Sequence, residues 1–279
     1  MNSLFKLMIK GIALLGIVGL LSSCGGGGGK GGTAPYVYKD QFGTPHLSSV
    51  RWSHAATLLN DGTVLITGGY NGSTFIDSAE AYDPVSGSFT ALTSTMTSIR
   101  SHHTATLLND GTVLITGGYN GSAYFDSAEV YDPVSGSFTT LASTMTSIRS
   151  GHTATLLDDG TVLITGGYNG SAYVNSVEVY DPFSGNFTAL ASTMTSIRTD
   201  HTATLLNDGT VLITGGWNGS AYVNSAEMYN PVSGSFTALT STMSSIRGTH
   251  TATLLNDGTV LITGGWNGSA YVNTFEFFY

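Results

Sequence analysis

One unit of 49 residues is written five times over, and this repetition constrains the fold more than any other feature. His54, His103, His152, His201 and His250 stand 49 residues apart, as do the Gly-Gly pairs beginning at Gly68, Gly117, Gly166, Gly215 and Gly264. Pro84, Pro133, Pro182 and Pro231 keep the same spacing. A unit this short cannot bury an apolar face alone, so the copies must stack on one another and share a continuous core.

Within the copy His103–Gly151 the apolar pattern is that of strands. His103 to Leu108 is β-prone, and Asn109-Asp110-Gly111 is a hairpin turn whose glycine accepts positive φ. Thr112 to Thr116 is an apolar, β-branched strand that stops at Gly117-Gly118. Tyr119-Asn120-Gly121-Ser122 opens a loop. Ser127 to Asp132 is a third strand, closed by Pro133, which cannot donate to a ladder. Ser135-Gly136 turns the chain into a fourth strand, Phe138 to Leu141. No segment has helical periodicity. Four antiparallel strands, repeated, predict an all-β fold: a β-propeller of five four-stranded blades.

The doublet Gly117-Gly118, Tyr131 thirteen residues further, and an aromatic at Phe138 resemble the kelch repeat. The SAEVYDP segment and the stretch from Met145 to Arg149 resemble it too. Phenylalanine (Phe89, Phe138, Phe187, Phe236) stands where kelch units usually carry tryptophan. The resemblance covers residues 34–279 and implies a kelch-type propeller domain over that range. It also implies how the ring shuts. The fifth copy ends at Phe275-Glu276-Phe277-Phe278-Tyr279, without a fourth strand, and Tyr36 to Phe42 is β-prone. Kelch rings usually borrow one strand from the opposite end, so Tyr36–Phe42 is expected to complete the last blade. The alternative is a piece of a larger ring, since kelch rings more often have six or seven blades.

Residues 1–23 read as a signal peptide: Lys6 and Lys10, the apolar run Gly11 to Leu21, then Ser22-Ser23 before Cys24. The run is short for a membrane-spanning helix. Leu21-Ser22-Ser23-Cys24 resembles the lipobox of bacterial lipoproteins. That resemblance implies a diacylglycerol on the Cys24 thiol and cleavage before it. Residues 24–33 would then form a lipidated, glycine-rich tether, flexible enough to stand the domain off the membrane. Gly25 rather than Asp after the cysteine favours, by resemblance to the enterobacterial sorting rule, the outer membrane, with the domain periplasmic or surface-exposed.

Charge narrows the partners. The net charge of −9 excludes a phosphate-binding surface of the kind nucleic acid needs. Charged residues are only 10% of the chain while 37 residues are glycine, a composition of turns and sheets rather than of disorder. With one cysteine in the chain no internal disulfide can form. A copper–radical site like that of galactose oxidase, which needs a tyrosine cross-linked to cysteine, is excluded as well.

Two repeated sets are candidate ligand-binding groups. Arg51, Arg100, Arg149, Arg198 and Arg247 precede the inner strands, where kelch geometry puts them beside the pore. Five planar guanidinium forks could hold carboxylate, sulfate or phosphate. They could equally pair with Glu80, Glu129, Glu178, Glu227 and Glu276, which share the period. Tyr70, Tyr119, Tyr168, Trp217 and Trp266 follow the Gly-Gly doublets, each with an asparagine after it. Kelch geometry places that loop on the same rim, and aromatic faces beside amides and guanidiniums suit sugars or peptides. The repeated histidines are expected to cap inner strands rather than hold a metal, because equivalent residues around an axis stand too far apart for ligand distances of about 2 Å. The Asp-Gly-Thr triplets read as plain turns.

Catalysis needs groups in unlike environments, and near-identical copies offer the same groups five times. The reading is therefore a binding module for a protein, peptide or glycan, with no catalytic residues, cofactor or metal. Its expected partners are the membrane, through Cys24, and that ligand; the domain is expected to be a monomer. Two further readings are an isomerase-like enzyme acting on a sugar acid and a structural component of the cell envelope.

Overall fold

The computed structural model describes residues 46–279, and Cys24, the tether and the Tyr36–Phe42 strand lie outside them. Four sheets have four strands each in simple meander order. The first is β1 (Ala55–Leu58), β2 (Val64–Thr67), β3 (Ala79–Asp83) and β4 (Ser88–Ala91). The second is β5 (Thr104–Leu107), β6 (Val113–Thr116), β7 (Ala128–Asp132) and β8 (Ser137–Thr140). β9 (Thr153–Leu156) to β12 (Asn186–Ala189) and β13 (Thr202–Leu205) to β16 (Ser235–Ala238) repeat the pattern. The fifth sheet holds β17 (Thr251–Leu254), β18 (Val260–Thr263) and β19 (Phe275–Phe278). The protein is an all-β propeller of five antiparallel blades, and its strands begin and end within a residue or two of the expected limits. Whether a strand from residues 36–42 completes the fifth blade lies outside the described residues.

The register explains why the second strand of each blade is a continuous apolar run. In β6, Leu114 packs toward the third blade, against Val162 and Ile164. Val113 and Ile115 face the other way, against Leu65, Ala79 and Met96 of the first blade. Successive side chains point to opposite faces, and in the three middle blades both faces are covered by neighbouring blades, so no polar alternation survives; in β18 of the last blade Leu261 and Thr263 are only half-buried. Full burial of each such side chain contributes about 1.5–3 kcal/mol.

The inner strands follow one another around the axis, β1 beside β5, β5 beside β9, β9 beside β13 and β13 beside β17. Histidines tie these junctions. The Nε2 atoms of His103, His152, His201 and His250 lie 2.9–3.0 Å from the hydroxyls of Thr67, Thr116, Thr165 and Thr214 of the preceding blade. Instead of capping its own strand, each ring bridges two blades. His54, which begins the first blade, has neither ring nitrogen hydrogen-bonded among the described residues.

Candidate functional site

The two expected binding sets part company in the structure. All five arginines are buried, and each forms an ion pair with the glutamate of its own blade: Arg51–Glu80 at 2.7 Å, Arg100–Glu129 at 3.0 Å, Arg149–Glu178 at 2.7 Å, Arg198–Glu227 at 2.7 Å and Arg247–Glu276 at 2.9 Å. Arg149 also donates to the carbonyls of Gly166 (2.7 Å) and Ser176 (3.0 Å) and to the Ser176 hydroxyl (3.0 Å). The second oxygen of Glu178 accepts from the Thr146 backbone at 2.6 Å. The guanidinium thus staples the segment entering a blade to the blade's second and third strands. The alternative of structural pairing describes these arginines, and a guanidinium ring open to an anion does not.

The aromatic set does reach a mouth. Two glycines in the left-handed region turn the chain out of β6, with φ of 62° at Gly117 and 103° at Gly118. A Cβ on Gly117 would stand 2.4 Å from the Arg149 carbonyl oxygen, and one on Gly118 2.7 Å from that of Ser101. Only glycine fits this close backbone approach. The next residue, Tyr119, bridges both Ser101 and Tyr124, which extends the blade toward the rim. Asn120 Oδ1 accepts from the backbone of Ser122 and Ala123, so the asparagine shapes the loop and leaves the ring as the presented group.

A second aromatic stands five residues beyond each of these: Phe75, Tyr124, Tyr173, Tyr222 and Tyr271. It packs on its partner at 4.5 Å between ring centroids for Tyr119–Tyr124 and 4.9 Å for Tyr168–Tyr173. Contacts then cross from blade to blade, Phe75 to Tyr119 at 5.4 Å and Tyr124 to Tyr168 at 5.1 Å. Three of these pairs, Tyr119–Tyr124, Tyr168–Tyr173 and Trp217–Tyr222, together with Trp266 wall an axial cavity of about 910 Å³. Tyr119, Tyr168, Trp217 and Trp266 line it, whereas Tyr70 and the five arginines do not.

The mouth is also lined by His102, Gly151 and Asp200, from a position where the copies stop being alike. Two residues after each arginine come Ser53, His102, Gly151, Asp200 and Thr249, a repeat position at which all five copies differ. Backbone hydrogen bonds chain them around the axis: His102 N to Ser53 O (2.9 Å), Gly151 N to His102 O (3.0 Å), Asp200 N to Gly151 O (3.0 Å) and Thr249 N to Asp200 O (2.8 Å). The four that are not glycine have φ of 52–54°, and among the described residues no other non-glycine residue has positive φ. Such a conformation costs on the order of 1–3 kcal/mol per residue and is characteristic of functional sites. Burial raises the Asp200 pKa and lowers that of His102, while each group's charge opposes its own shift in the other. No three His, Cys, Asp or Glu side chains gather as metal ligands among the described residues.

Near-identical antiparallel sheets, four of them four-stranded, set around a mouth lined by loop side chains define a repeat propeller of the interaction type. The Kelch motif matches residues 51–96, 100–145, 149–194 and 198–243, two thirds of the sequence, and the chain belongs to the kelch family. Among solved structures it is similar to one titled "Structure of YjhT", with a TM-score of 0.68 and 16% identity over 81% of each chain. At that identity the likeness shows the fold alone. No curated protein matches the chain in sequence.

Proposed function

We propose that the protein is an interaction module that holds its partner in the axial mouth and is tethered by a lipid on Cys24 to the bacterial cell envelope, most simply at the outer membrane. The observation that carries the reading is the aromatic-walled cavity of about 910 Å³, whose lining includes His102, Gly151 and Asp200 from the repeat position at which all copies differ. Ligand pockets combine apolar and aromatic walls with a few placed polar groups, and this mouth has that make-up. The leader with Lys6, Lys10 and Leu21-Ser22-Ser23-Cys24 supports the anchor.

Two experiments test it. Affinity capture of envelope proteins on the full chain should recover a specific partner that is lost with Tyr168→Ala plus Tyr173→Ala. Capture indifferent to that pair contradicts a site at the mouth. Metabolic labelling with palmitate should mark the wild type and not Cys24→Ser, and an unlabelled wild type contradicts the anchor.

A further inference from the structure

Resting on the mouth as the binding site, we propose that it takes a cationic group, an ammonium or guanidinium such as a partner protein's lysine or arginine side chain, with Asp200 as counter-ion and the surrounding rings as its walls.

The charge inventory of the cavity is one-sided. The nearby cations are the repeated arginines, and each is buried in an ion pair beneath the rim. His102 has its pKa lowered by the desolvation of its ring, which favours the uncharged form. Asp200 is the only carboxylate in the cavity lining. Among the described residues no hydrogen bond reaches its side chain and no ion pair joins it to His102. Asp200 is half-buried, and a carboxylate partly withdrawn from water gains from a cation that pairs with it. Asp200 accordingly has its proton affinity raised by burial.

Geometry makes room for that partner. The residue between His102 and Asp200 along the axial ring is Gly151. A Cβ there would lie 2.5 Å from Thr199 Oγ1 and 3.1 Å from Asp200 Oδ1, so glycine leaves the space over which the carboxylate sits. Trp217 and Tyr222, stacked edge to face at 5.0 Å, stand on the Asp200 side of the same cavity. Tyr222 feels the Asp200 charge, which with burial raises its own pKa. The faces of tryptophan and tyrosine carry negative quadrupole potential and attract cations, the more so in a desolvated pocket. An anion would meet the same π faces and Asp200, with no free cation among the described residues of the cavity lining to offset them. The chain's net charge of −9 adds attraction at long range.

The test is calorimetry on the full chain in detergent with three short peptides of the same length. One has a central lysine, one acetyl-lysine and one glutamate; free tetramethylammonium is a fourth probe, separating a small cation from a side chain. The lysine peptide should bind at least about tenfold more tightly than the acetylated and acidic ones. Asp200→Asn should weaken it by a similar factor while leaving the acetylated peptide unchanged. Binding of tetramethylammonium without the lysine peptide assigns the site to a free cation and still supports the proposal. Acetyl-lysine or glutamate binding as well as lysine, an unchanged affinity in Asp200→Asn, or no binding of any probe overturns it. In those cases partner capture that remains sensitive to Tyr168→Ala plus Tyr173→Ala leaves the mouth standing as the site. Loss of that sensitivity removes both.

Discussion

Arg149 and Gly151 are two residues apart, yet the repeat treats them in opposite ways. Arginine recurs at the first position in every copy, and no residue recurs at the second. The first is buried and tied to Glu178, Gly166 and Ser176; the second lines the axial cavity. Identity among copies at the first position therefore marks what ties a blade together. Divergence at the second falls where the side chains line the axial cavity. The lesson bears on the arginines directly, because their regular repetition attracted a functional reading while their chemistry is structural.

The comparison can be broken most forcefully at the conserved side. Arg149→Met leaves the Glu178 carboxylate buried without its partner, and urea denaturation should show a loss of about 3–5 kcal/mol. Gly117→Ala places a methyl against the Arg149 carbonyl at a φ of 62° and should cost about 2–4 kcal/mol in the same assay. Acid sharpens the picture through the histidines. Burial, with Arg51, Arg149 and Arg247 nearby, holds His54 at about 4 and His152 and His250 at about 3, below the ordinary 6.5. The fold keeps these rings neutral while the unfolded chain binds their protons. This contribution is complete above pH 6.5 and is lost as pH falls toward 3–4. At pH 5 the loss amounts to about 2 kcal/mol per histidine, so thermal melts should fall steeply between pH 6.5 and 5, and less steeply in His152→Gln. The smallest effect belongs to the mouth. Asp200→Asn should leave the melting temperature at neutral pH unchanged or slightly raised, because it removes a carboxylate whose burial is unfavourable.

Most of the architecture was legible because its causes are local and repeated five times. The Asp-Gly and Gly-Gly turns, Pro133 and the apolar run before Gly117 place the strands almost to the residue. The site was legible in part. Tyr119, Tyr168, Trp217 and Trp266 follow a glycine doublet whose strict steric need aims the next ring outward. The partner rings Tyr124, Tyr173 and Tyr222 carried a signal too, an aromatic at fixed spacing, which was outweighed by the more conspicuous Tyr-Asn-Gly-Ser. The axial position was missed for a different reason. A search for repetition passes over the one position without it, and only the left-handed, hydrogen-bonded series shows that Ser53, His102, Gly151, Asp200 and Thr249 follow one another around the axis. That series also supplies the unlike environments that the identical copies lack elsewhere. The choice between Arg–Glu pairing and an anion site could not be made from spacing, since it depends on whether the side chains turn inward.

The central claim is that positions shared by all copies hold the propeller together while the divergent axial position does not. Saturation mutagenesis of residues 149–200, scored for folding by protease resistance, tests it most directly. The account predicts intolerance at Arg149, His152, Gly166, Gly167 and Glu178, and broad tolerance of polar substitutions at Asp200. Equal intolerance at Asp200, or free substitution of Arg149 and Glu178, would contradict it.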